Sequence, residues 1–220
     1  MQQMKRVCEP GAIEADASGW RHLPGWLSPV QQRALLAELR AALAAAPLMR
    51  FTMPRTGKVF SVPMSNCGRL GWVSDKDGGY RYQAMHPETG RPWPGIPDLL
   101  SEVWARVAGY RAAPEACLIN YYAVGARLGS HRDADEEDTN APVVSVSLGD
   151  DATFHIAGAR RSDPKRRLIL RSGDVFVLGG SARDFYHGID RIHPGTSDLL
   201  EEGGRFCLTL RRVRQPSPRE

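Results

Sequence analysis

The segment SHRDADE, residues 130–136, contains an imidazole and a carboxylate two residues apart. In an extended chain the side chains at positions i and i+2 project to the same side, so His131 and Asp133 can reach one point while Arg132 faces away. A single strand can supply two ligands of one metal ion in this way. The H-x-D pattern is common, however, and a metal site needs a third ligand.

His187 is the histidine best placed to be that third ligand. It lies in FYHGI, after an apolar strand and a Gly-Gly turn, where the end of a strand can return to the first pair. Two imidazoles and one carboxylate on one face form the facial triad of non-haem Fe(II) sites, which leaves coordination positions open. The alternative for His187 is a hydrogen-bonded histidine at a strand end.

The other histidines are weaker candidates. His155, inside ATFHIAG, is a rival ligand, although its strand neighbours favour a packing or cross-strand role. The remaining three occupy polar or Pro- and Gly-rich surroundings, and we expect them to be surface or loop residues: His22, His86 and His193.

Two arginines of the C-terminal segment RFCLTLR are six residues apart, and this even spacing places Arg205 and Arg211 on the same side of a strand. A guanidinium that faces the interior requires an anion, because a buried charge must be paired. A dicarboxylate co-substrate would satisfy both arginines. For Arg211 the alternative is that it begins a solvated basic run with Arg212 and Arg214.

Size and composition set the broad class. A chain of 220 residues with 42% hydrophobic content can form one compact domain with its own core. The net charge of +4 favours a polyanionic partner only weakly. Four scattered cysteines without a C-x-x-C pair fit a reducing compartment. The N-terminus lacks a signal-peptide pattern and no stretch approaches the ~20 apolar residues of a membrane span, so we expect a cytoplasmic protein.

Two helices are predicted. Ser28, Pro29 and Gln31 are typical of a capped helix start, and the helix should end near Pro47. Its apolar face is predicted to consist of Leu35, Leu36, Leu39 and Leu43. A second helix follows Pro97, with apolar residues at i, i+3, i+4 and i+7: Leu100, Val103, Trp104 and Val107. Residues 1 to about 25 are predicted to be irregular.

From residue 117 onwards the sequence shows short strands separated by turns. VVSVSLG alternates as a half-buried strand should, whereas DVFVLGG is almost continuously apolar and suits a strand covered on both faces. Evenly spaced short strands predict a β-sandwich or jelly roll. Residues 48–95 combine Gly and Pro with many large side chains, which indicates short strands and loops. Residues 214–220 are predicted to form a loose tail.

Longer strings in the sequence resemble the bacterial AlkB alkylated-DNA repair enzymes, which are Fe(II)/2-oxoglutarate dioxygenases. The strings that carry the resemblance are LINYYAVGARLGSHRDADE, APVVSVSLG, RRSDPKRRLIL, GDVFVLGG, ARDFYHGI and RFCLTLR, with SNCGRLGW and HPETGRPWPGIP upstream. The likeness runs from about residue 48 to residue 213. It implies a mostly β fold with flanking helices, namely a double-stranded β-helix (jelly roll).

The resemblance also implies a domain organisation within one compact unit. Residues 1–47 would form an N-terminal extension and helix, residues 48–95 a nucleotide-recognition lid, and residues 96–214 the catalytic core.

The resemblance further implies roles for individual residues. Iron would bind to the triad of His131, Asp133 and His187. The co-substrate 2-oxoglutarate would contact four residues: Asn120, Tyr122, Arg205 and Arg211. Arg205 would bind the distal carboxylate and Arg211 the carboxylate beside the keto group. Cys207 stands where the well-known bacterial enzymes have an asparagine, and we leave it out of the site because a thiol is a weaker hydrogen-bonding group.

The implied reaction uses O2 to decarboxylate 2-oxoglutarate to succinate and to hydroxylate the N-methyl group of 1-methyladenine or 3-methylcytosine in DNA, which releases formaldehyde. Such a methyl group is reachable only in a flipped or single-stranded nucleotide. By resemblance, Trp72 stacks on the damaged base opposite His131. Tyr80 and Tyr82 contact its backbone, and Met64 packs nearby. Core packing is the alternative for these side chains.

Charged residues complete the predicted substrate site. Asp135, at the mouth of the pocket, can complement a cationic base and its exocyclic amine, whereas Glu136 is expected to face solvent. Arg161 matches a substrate-contacting arginine of the family. It belongs to a basic cluster around the turn DPKRR that suits phosphate contacts, together with Arg160, Lys165, Arg166 and Arg167.

Two other functions compete with DNA repair by a monomeric enzyme. The same triad could serve an oxygenase that acts on RNA, on protein or on a small molecule. Alternatively, the chain could be a nucleic-acid-binding module without catalysis, whose histidines are structural. The string HRD also occurs in protein kinases, but the Gly-rich phosphate loop and the D-F-G sequence are missing.

Overall fold

A computed structural model describes residues 12–217 and shows a mostly β protein. Its helices are α1 (Pro29–Ala45), α2 (Asp98–Val107) and a short 3-10 helix, Gly180–Asp184. Its strands are β1 (Glu14–Ala15), β2 (Trp20–Leu23), β3 (Met64–Gly68), β4 (Gly71–Asp75), β5 (Gly79–Gln83), β6 (Ala116–Tyr122), β7 (Leu128–His131), β8 (Val143–Gly149), β9 (Asp151–Ile156), β10 (Arg166–Leu170), β11 (Val175–Leu178), β12 (His187–His193) and β13 (Arg205–Arg211). Predictions for residues 1–11, including Cys8, and for 218–220 fall outside the described residues.

The strands form two large sheets and one separate hairpin. The seven-stranded sheet has the order β1-β2-β11-β8-β13-β6-β3, and the four-stranded sheet has the order β10-β9-β12-β7. The hairpin consists of β4 and β5. One apolar cluster joins inward residues of both large sheets, which therefore pack face to face. This arrangement is the jelly roll that the strand spacing predicted.

The two predicted helices are confirmed. The Ser28 hydroxyl accepts a hydrogen bond from the Gln31 backbone N–H at 3.3 Å, and the Gln31 side chain accepts one from the Ser28 N–H at 3.0 Å. This reciprocal capping box satisfies two backbone donors that have no partner inside the helix. The buried face of α2 consists of the four predicted residues: Leu100, Val103, Trp104 and Val107.

Strand β11 shows why one stretch of the chain is continuously apolar. Val175 and Val177 belong to the core that includes both helices, whereas Phe176 and Leu178 belong to the core between the sheets. Side chains alternate across a strand, so a strand covered on both faces needs apolar residues at every position. The prediction for DVFVLGG is confirmed.

Strand β8 corrects a prediction, because VVSVSLG is not half-exposed. Ser147 is buried and receives a hydrogen bond from Arg205, and Ser145 lines the cavity between the sheets. The polar half of the alternating pattern therefore faces an interior polar site and not solvent. Sequence alternation alone does not distinguish these two environments.

The predicted irregular lead is wrong for part of its length. Strand β2 pairs with β11 in the seven-stranded sheet, and β1 pairs with β2. Trp20 is buried and stacks on Phe176, with 5.7 Å between the ring centroids. A strand of four residues is too short to show a periodic pattern, which explains the error.

Two of the three histidines expected at the surface or in loops are buried, although one of them, His86, does lie in a loop. His22 lies in β2 with its Nε2 2.8 Å from Asp174, and His86 packs on Trp93 with ring centroids 4.9 Å apart. His193 is half-buried and contacts the Thr153 hydroxyl at 2.8 Å. His22 and His193 are paired with residues far away in the chain, Asp174 and Thr153, which the local sequence does not indicate. Neither of the two described α-helices has the length and apolar character that a bilayer crossing requires.

Candidate active site

Three predicted ligands converge at the edge of the four-stranded sheet. His131 ends β7 and His187 begins β12, and the two residues are directly opposite in the antiparallel pair. Their ring centroids lie 4.5 Å apart, and His187 Nε2 lies 3.9 Å from Asp133 Oδ2. One potential ligand atom from each residue falls within 4.8 Å of the others. The strand register thus assembles the triad that the spacing suggested.

Hydrogen bonds orient the two imidazoles towards a common point. The Nδ1 of His131 lies 3.0 Å from the Gly129 carbonyl, and the Nδ1 of His187 lies 3.0 Å from the Phe185 carbonyl. Since each Nδ1–H donates to a carbonyl oxygen, each Nε2 keeps a free lone pair. The structure therefore presents two imidazole nitrogens as ligands.

The carboxylate completes a set that fits a cation. Asp133 Oδ1 accepts a hydrogen bond from Arg211 at 2.7 Å, but the buried Oδ2 has no hydrogen-bond partner among the described residues. An unsatisfied buried carboxylate oxygen is costly, and a metal ion would satisfy it. Two nitrogens and one oxygen with this geometry fit Fe(II).

Protonation states agree with this assignment. Burial raises the pKa of Asp133, but the charges of Arg211, of the two neighbouring imidazoles and of Arg183 together outweigh burial and hold that pKa well below its usual range. Burial lowers the pKa of His187 to about 4, and the neighbouring His131 acts in the same direction. An ionised carboxylate and a neutral imidazole are the forms that bind metal near pH 7.

A cavity of about 420 Å³ opens beside the triad between the two sheets. Most of the predicted cofactor and substrate residues line it: Met64, Trp72, Tyr80, Asn120, Tyr122, Asp135, Arg161 and Arg211. Arg205 and Tyr82 are not among its lining residues. Cys207, which we left out of the predicted site, does line it, with its Sγ 3.7 Å from the Thr209 hydroxyl.

Aromatic rings form one wall of the cavity. Trp72 stacks on Tyr80 with 5.5 Å between centroids, and Phe51 and Phe60 meet the indole edge-on. The indole N–H of Trp72 donates to Asp135 at 2.7 Å. Sequence reasoning missed Phe60, which lines the cavity but lies in a Gly- and Pro-rich stretch without periodicity.

The co-substrate residues lie on adjacent strands of the seven-stranded sheet. Asn120 of β6 is opposite Met64 of β3 on one side and Cys207 of β13 on the other. Tyr122 is opposite Arg205 in the same ladder. Along β6, Asn120 and Tyr122 are an even number of residues apart and therefore point to the same face of the sheet. The same holds for Arg205 and Arg211 along β13.

Arg205 is a fully buried guanidinium whose hydrogen-bond partners are neutral. It donates to the carbonyls of Asp150 and Leu170 at 3.0 Å each and to the Ser147 hydroxyl. Its Nε has no hydrogen-bond partner, and no carboxylate of the described chain forms a salt bridge with it. Burial therefore lowers the pKa of Arg205. The pairing of Arg205 with an external anion stays a prediction, and the neutral partners of this buried charge are consistent with it.

Arg211 is also buried, so the alternative of a solvated basic run is wrong for this residue. It pairs with Asp133 at 2.7 Å and with Glu136 at 3.3 Å. Arg212 is buried as well, 3.4 Å from Glu115, whereas Arg214 is exposed.

Glu136 corrects another prediction, because it is buried and does not face solvent. Its carboxylate accepts hydrogen bonds from Arg183 at 2.7 Å and from the Tyr82 hydroxyl. Tyr82 thus points towards Glu136 and away from the cavity. Sequence reasoning missed Arg183, although it lies four residues before His187, because nothing in the sequence distinguishes it from a surface arginine.

The basic cluster is exposed, but its members differ in their contacts. Arg161 lines the cavity and lies over the Tyr186 ring at 5.4 Å. Arg166 pairs with Glu14 at 2.7 Å, and Arg167 pairs with Asp190 at 2.9 Å. Of these three, only Arg161 reaches the site.

Comparisons with known proteins agree with this geometry. The model of the 2OG-Fe(II) oxygenase superfamily matches residues 19–211. The alpha-ketoglutarate-dependent dioxygenase AlkB homolog of Caulobacter vibrioides is 51% identical over 213 residues, which cover 96% of this chain and 94% of the relative. AlkB of Escherichia coli is 42% identical over 183 residues, covering 81% and 83%. The chain belongs to the AlkB family.

The solved structure of OsALKBH1 shares the fold of this AlkB-family chain, with a TM-score of 0.75 and 25% identity over 91% of this chain and 100% of the other. Family membership identifies the protein as a dioxygenase that depends on Fe(II), 2-oxoglutarate and O2. The triad of His131, Asp133 and His187 is the group of residues in the described chain that can hold the iron.

Proposed function

We propose that this dioxygenase demethylates N-alkylated bases in DNA, of the 1-methyladenine and 3-methylcytosine type, and thereby repairs alkylation damage. The observation that carries the proposal is a cavity lined by the iron triad, by the stacked rings of Trp72 and Tyr80 and by the carboxylate of Asp135. An aromatic face binds a base by stacking, and an adjacent carboxylate complements a cationic methylated base. The resemblance to bacterial alkylated-DNA repair enzymes points to the same substrate.

The co-substrate binds across strands β6 and β13. Arg205 pairs with the distal carboxylate of 2-oxoglutarate, because its buried charge has only neutral partners in the protein. Arg211 holds the carboxylate beside the keto group, while Asn120 and Tyr122 supply polar contacts from the adjacent strand. A guanidinium matches a carboxylate in charge and in planar geometry.

The protein contributes orientation and enclosure to the reaction. His131, Asp133 and His187 hold Fe(II), which, when bound, supplies the redox chemistry that couples O2 and 2-oxoglutarate to methyl hydroxylation. Asp133 stays ionised because Arg211 donates to its Oδ1, and the carbonyls of Gly129 and Phe185 keep both imidazoles pointing inwards. The resulting hydroxymethyl adduct on the base releases formaldehyde.

Substrate recognition falls to residues 48–95, which serve as the nucleotide-recognition lid, and to Arg161. Trp72 stacks on the base opposite His131, Phe60 supports the indole edge-on, and Met64 packs beside the base. Because the triad lies at the inner end of this cavity, a duplex base must be flipped to reach it, so we expect a preference for single-stranded DNA. The enzyme acts as a monomer.

Formaldehyde release tests the proposal. The wild-type protein with Fe(II) and 2-oxoglutarate should release formaldehyde from a methylated single-stranded DNA oligonucleotide. This release should be faster than release from the matching RNA. Asp135→Asn should lower this rate at least about tenfold, because the side chain loses the negative charge that strengthens its hydrogen bond to the cationic base. Asp198→Asn makes the same charge change at an exposed position outside the cavity and should have no effect. Faster release from RNA would favour an RNA demethylase, and 2-oxoglutarate turnover that ignores both oligonucleotides would rule out the proposal.

A further inference from the structure

A continuous chain of polar side chains connects the β4–β5 hairpin with the iron-binding carboxylate. Its members are Tyr82, Glu136, Arg183, Arg211 and Asp133. Tyr82 comes from the hairpin, and the four others are buried beneath it. Its central member, Glu136, has no role in the predicted site.

Glu136 connects three separate elements. Its Oε1 accepts from the Tyr82 hydroxyl and lies 3.3 Å from Arg211 Nε on β13. Its Oε2 accepts at 2.7 Å from Arg183, which belongs to the 3-10 helix that precedes β12. A buried carboxylate with two guanidinium partners and one phenol partner is fully paired, so its position is strongly determined.

The two arginines that hold Glu136 also hold Asp133. Arg211 donates to Asp133 Oδ1 at 2.7 Å, and Arg183 donates to the Asp133 backbone carbonyl at 2.7 Å. Two carboxylates and two guanidiniums balance in charge within this cluster. Loss of the Glu136 charge would leave Arg211 with Asp133 as its carboxylate partner and Arg183 with the carbonyls of Asp133 and Ala141, which would alter the orientation of the free Oδ2 of Asp133.

The hairpin end of the chain carries the aromatic wall. Trp72 and Tyr82 are directly opposite across the hairpin, and Tyr80 lies two residues before Tyr82 on β5. The hairpin therefore contacts two consecutive acids, Asp135 through Trp72 and Glu136 through Tyr82. A base that stacks on Trp72 would therefore contact the same hairpin that holds Glu136.

We propose that Glu136 is a positioning residue. It couples occupancy of the β4–β5 hairpin to the iron ligand Asp133 through Arg211 and Arg183. The inference rests on the proposed function, because occupancy means a methylated nucleotide against the hairpin. Coupling of this kind is reciprocal, so a change at the hairpin alters the metal site and a loaded metal site alters affinity for the nucleotide.

The first test needs no nucleic acid. In the anaerobic protein, 2-oxoglutarate is titrated against Fe(II) while the visible charge-transfer band of the complex is recorded. Glu136→Gln should shift this band and weaken 2-oxoglutarate binding about tenfold, and Tyr82→Phe should do the same about threefold. The double variant should be no worse than Glu136→Gln, because both changes interrupt one chain.

Tyr110→Phe is the matched control, since it removes a phenol–carboxylate hydrogen bond of 2.7 Å to Asp138 elsewhere in the molecule. It should leave the band and the affinity unchanged. Tyr82→Phe is mild enough to keep the fold, which circular dichroism checks, and wild-type values for that variant would overturn the proposal. Additive losses in the double variant would overturn it as well.

The second test separates this inference from the proposed function. Fluorescence anisotropy of a methylated single-stranded oligonucleotide is measured with and without Co(II) and 2-oxoglutarate. Loading should raise the affinity of the wild-type protein at least about threefold, and this gain should disappear in both variants. If the wild-type protein does not bind the oligonucleotide, the proposed function is contradicted. The 2-oxoglutarate titration then still decides whether the polar side chains from Tyr82 to Asp133 control the iron site. Binding with an equal loading gain in wild type and variants contradicts the inference alone.

Discussion

Two histidine clusters lie on opposite faces of the four-stranded sheet, and both draw residues from β7, or the loop after it, and from β12. The inner cluster consists of His131, Asp133 and His187. The outer cluster consists of Ser130 on β7, His155 on β9 and Asp190 on β12. Both clusters combine imidazole with carboxylate. From the sequence alone, His155 competes with His187 as the third metal ligand.

The two clusters differ in the atoms that remain free. Both ring nitrogens of His155 have partners, Asp190 at 2.8 Å and Ser130 at 3.2 Å. In the inner cluster, by contrast, Asp133 Oδ2 has no hydrogen-bond partner in the described chain, and each imidazole uses only its Nδ1. Unsatisfied ligand atoms, and not residue types, distinguish a metal site from a structural cluster.

The largest expected difference between the clusters concerns metal binding. His131→Ala should abolish stoichiometric binding of Fe(II) or Co(II) and reduce 2-oxoglutarate turnover to background, because a facial triad loses one of three ligands. His155→Ala should keep one metal ion per chain. Anaerobic calorimetric titration of both variants measures this directly, and loss of metal from the His155 variant would show that the clusters are not independent.

The second expected effect concerns stability, which should fall more when the outer cluster is mutated than when the inner cluster is mutated. His155→Ala removes a buried ring and two hydrogen bonds, so we expect the free energy of unfolding to fall by about 1–3 kcal/mol. In the metal-free protein, His131→Ala should change it less, because this half-buried ring forms one hydrogen bond within the described chain. Urea denaturation of the two metal-free variants provides the comparison. A larger loss for His131→Ala would contradict it.

Acidification should affect the outer cluster in a defined direction. Burial lowers the pKa of His155, and although burial raises the pKa of Asp190, hydrogen bonds from Arg167 and His155 outweigh it and lower that pKa. Both groups therefore contribute stability above their unfolded pKa values. The contribution of His155 is lost as the pH falls below about 6.5, whereas that of Asp190 is lost only below about 4. Between about pH 7.5 and 5.5 the melting temperature of the wild type should fall more than that of His155→Gln. Parallel curves would show that His155 does not titrate differently on folding.

The smallest expected effect comes from the exposed end of the outer cluster. Arg167 pairs with Asp190 at 2.9 Å, but its side chain is 61% exposed. Exposed ion pairs contribute about 0.2–1 kcal/mol at most, so Arg167→Ala should change the unfolding free energy within that range and leave metal binding intact. High salt should reduce the difference further. A loss comparable to that of His155→Ala would mean that Arg167 is essential to the outer cluster.

Much of the site could be predicted from short-range spacing. His131 with Asp133, Asn120 with Tyr122, and Arg205 with Arg211 are each an even number of residues apart on extended chain, and each pair shares a side as expected. The continuous apolar pattern of β11 and the capping box of α1 were equally local and are confirmed. These features depend on one element at a time.

The errors share a different cause. Glu136, His22 and Ser147 are polar residues that were expected at the surface, or on a half-exposed strand, and are buried. Each is satisfied by a partner far away in the chain: Arg183, Asp174 and Arg205, respectively. A single sequence shows the polar residue but not the partner that allows it to be buried.

By itself, the sequence determined strands such as β8 and β11, the start of α1 and the residue types that can bind iron and a dicarboxylate, because backbone geometry imposes periods of two and 3.6 residues within each element. Only the tertiary structure decided which histidines meet, since His131 and His187 are brought together by the register of β7 against β12. It also decided which polar atoms remain unsatisfied after folding. Those atoms include the Oδ2 of Asp133, at the site that can hold iron, and the Nε of Arg205, the arginine that we propose for 2-oxoglutarate.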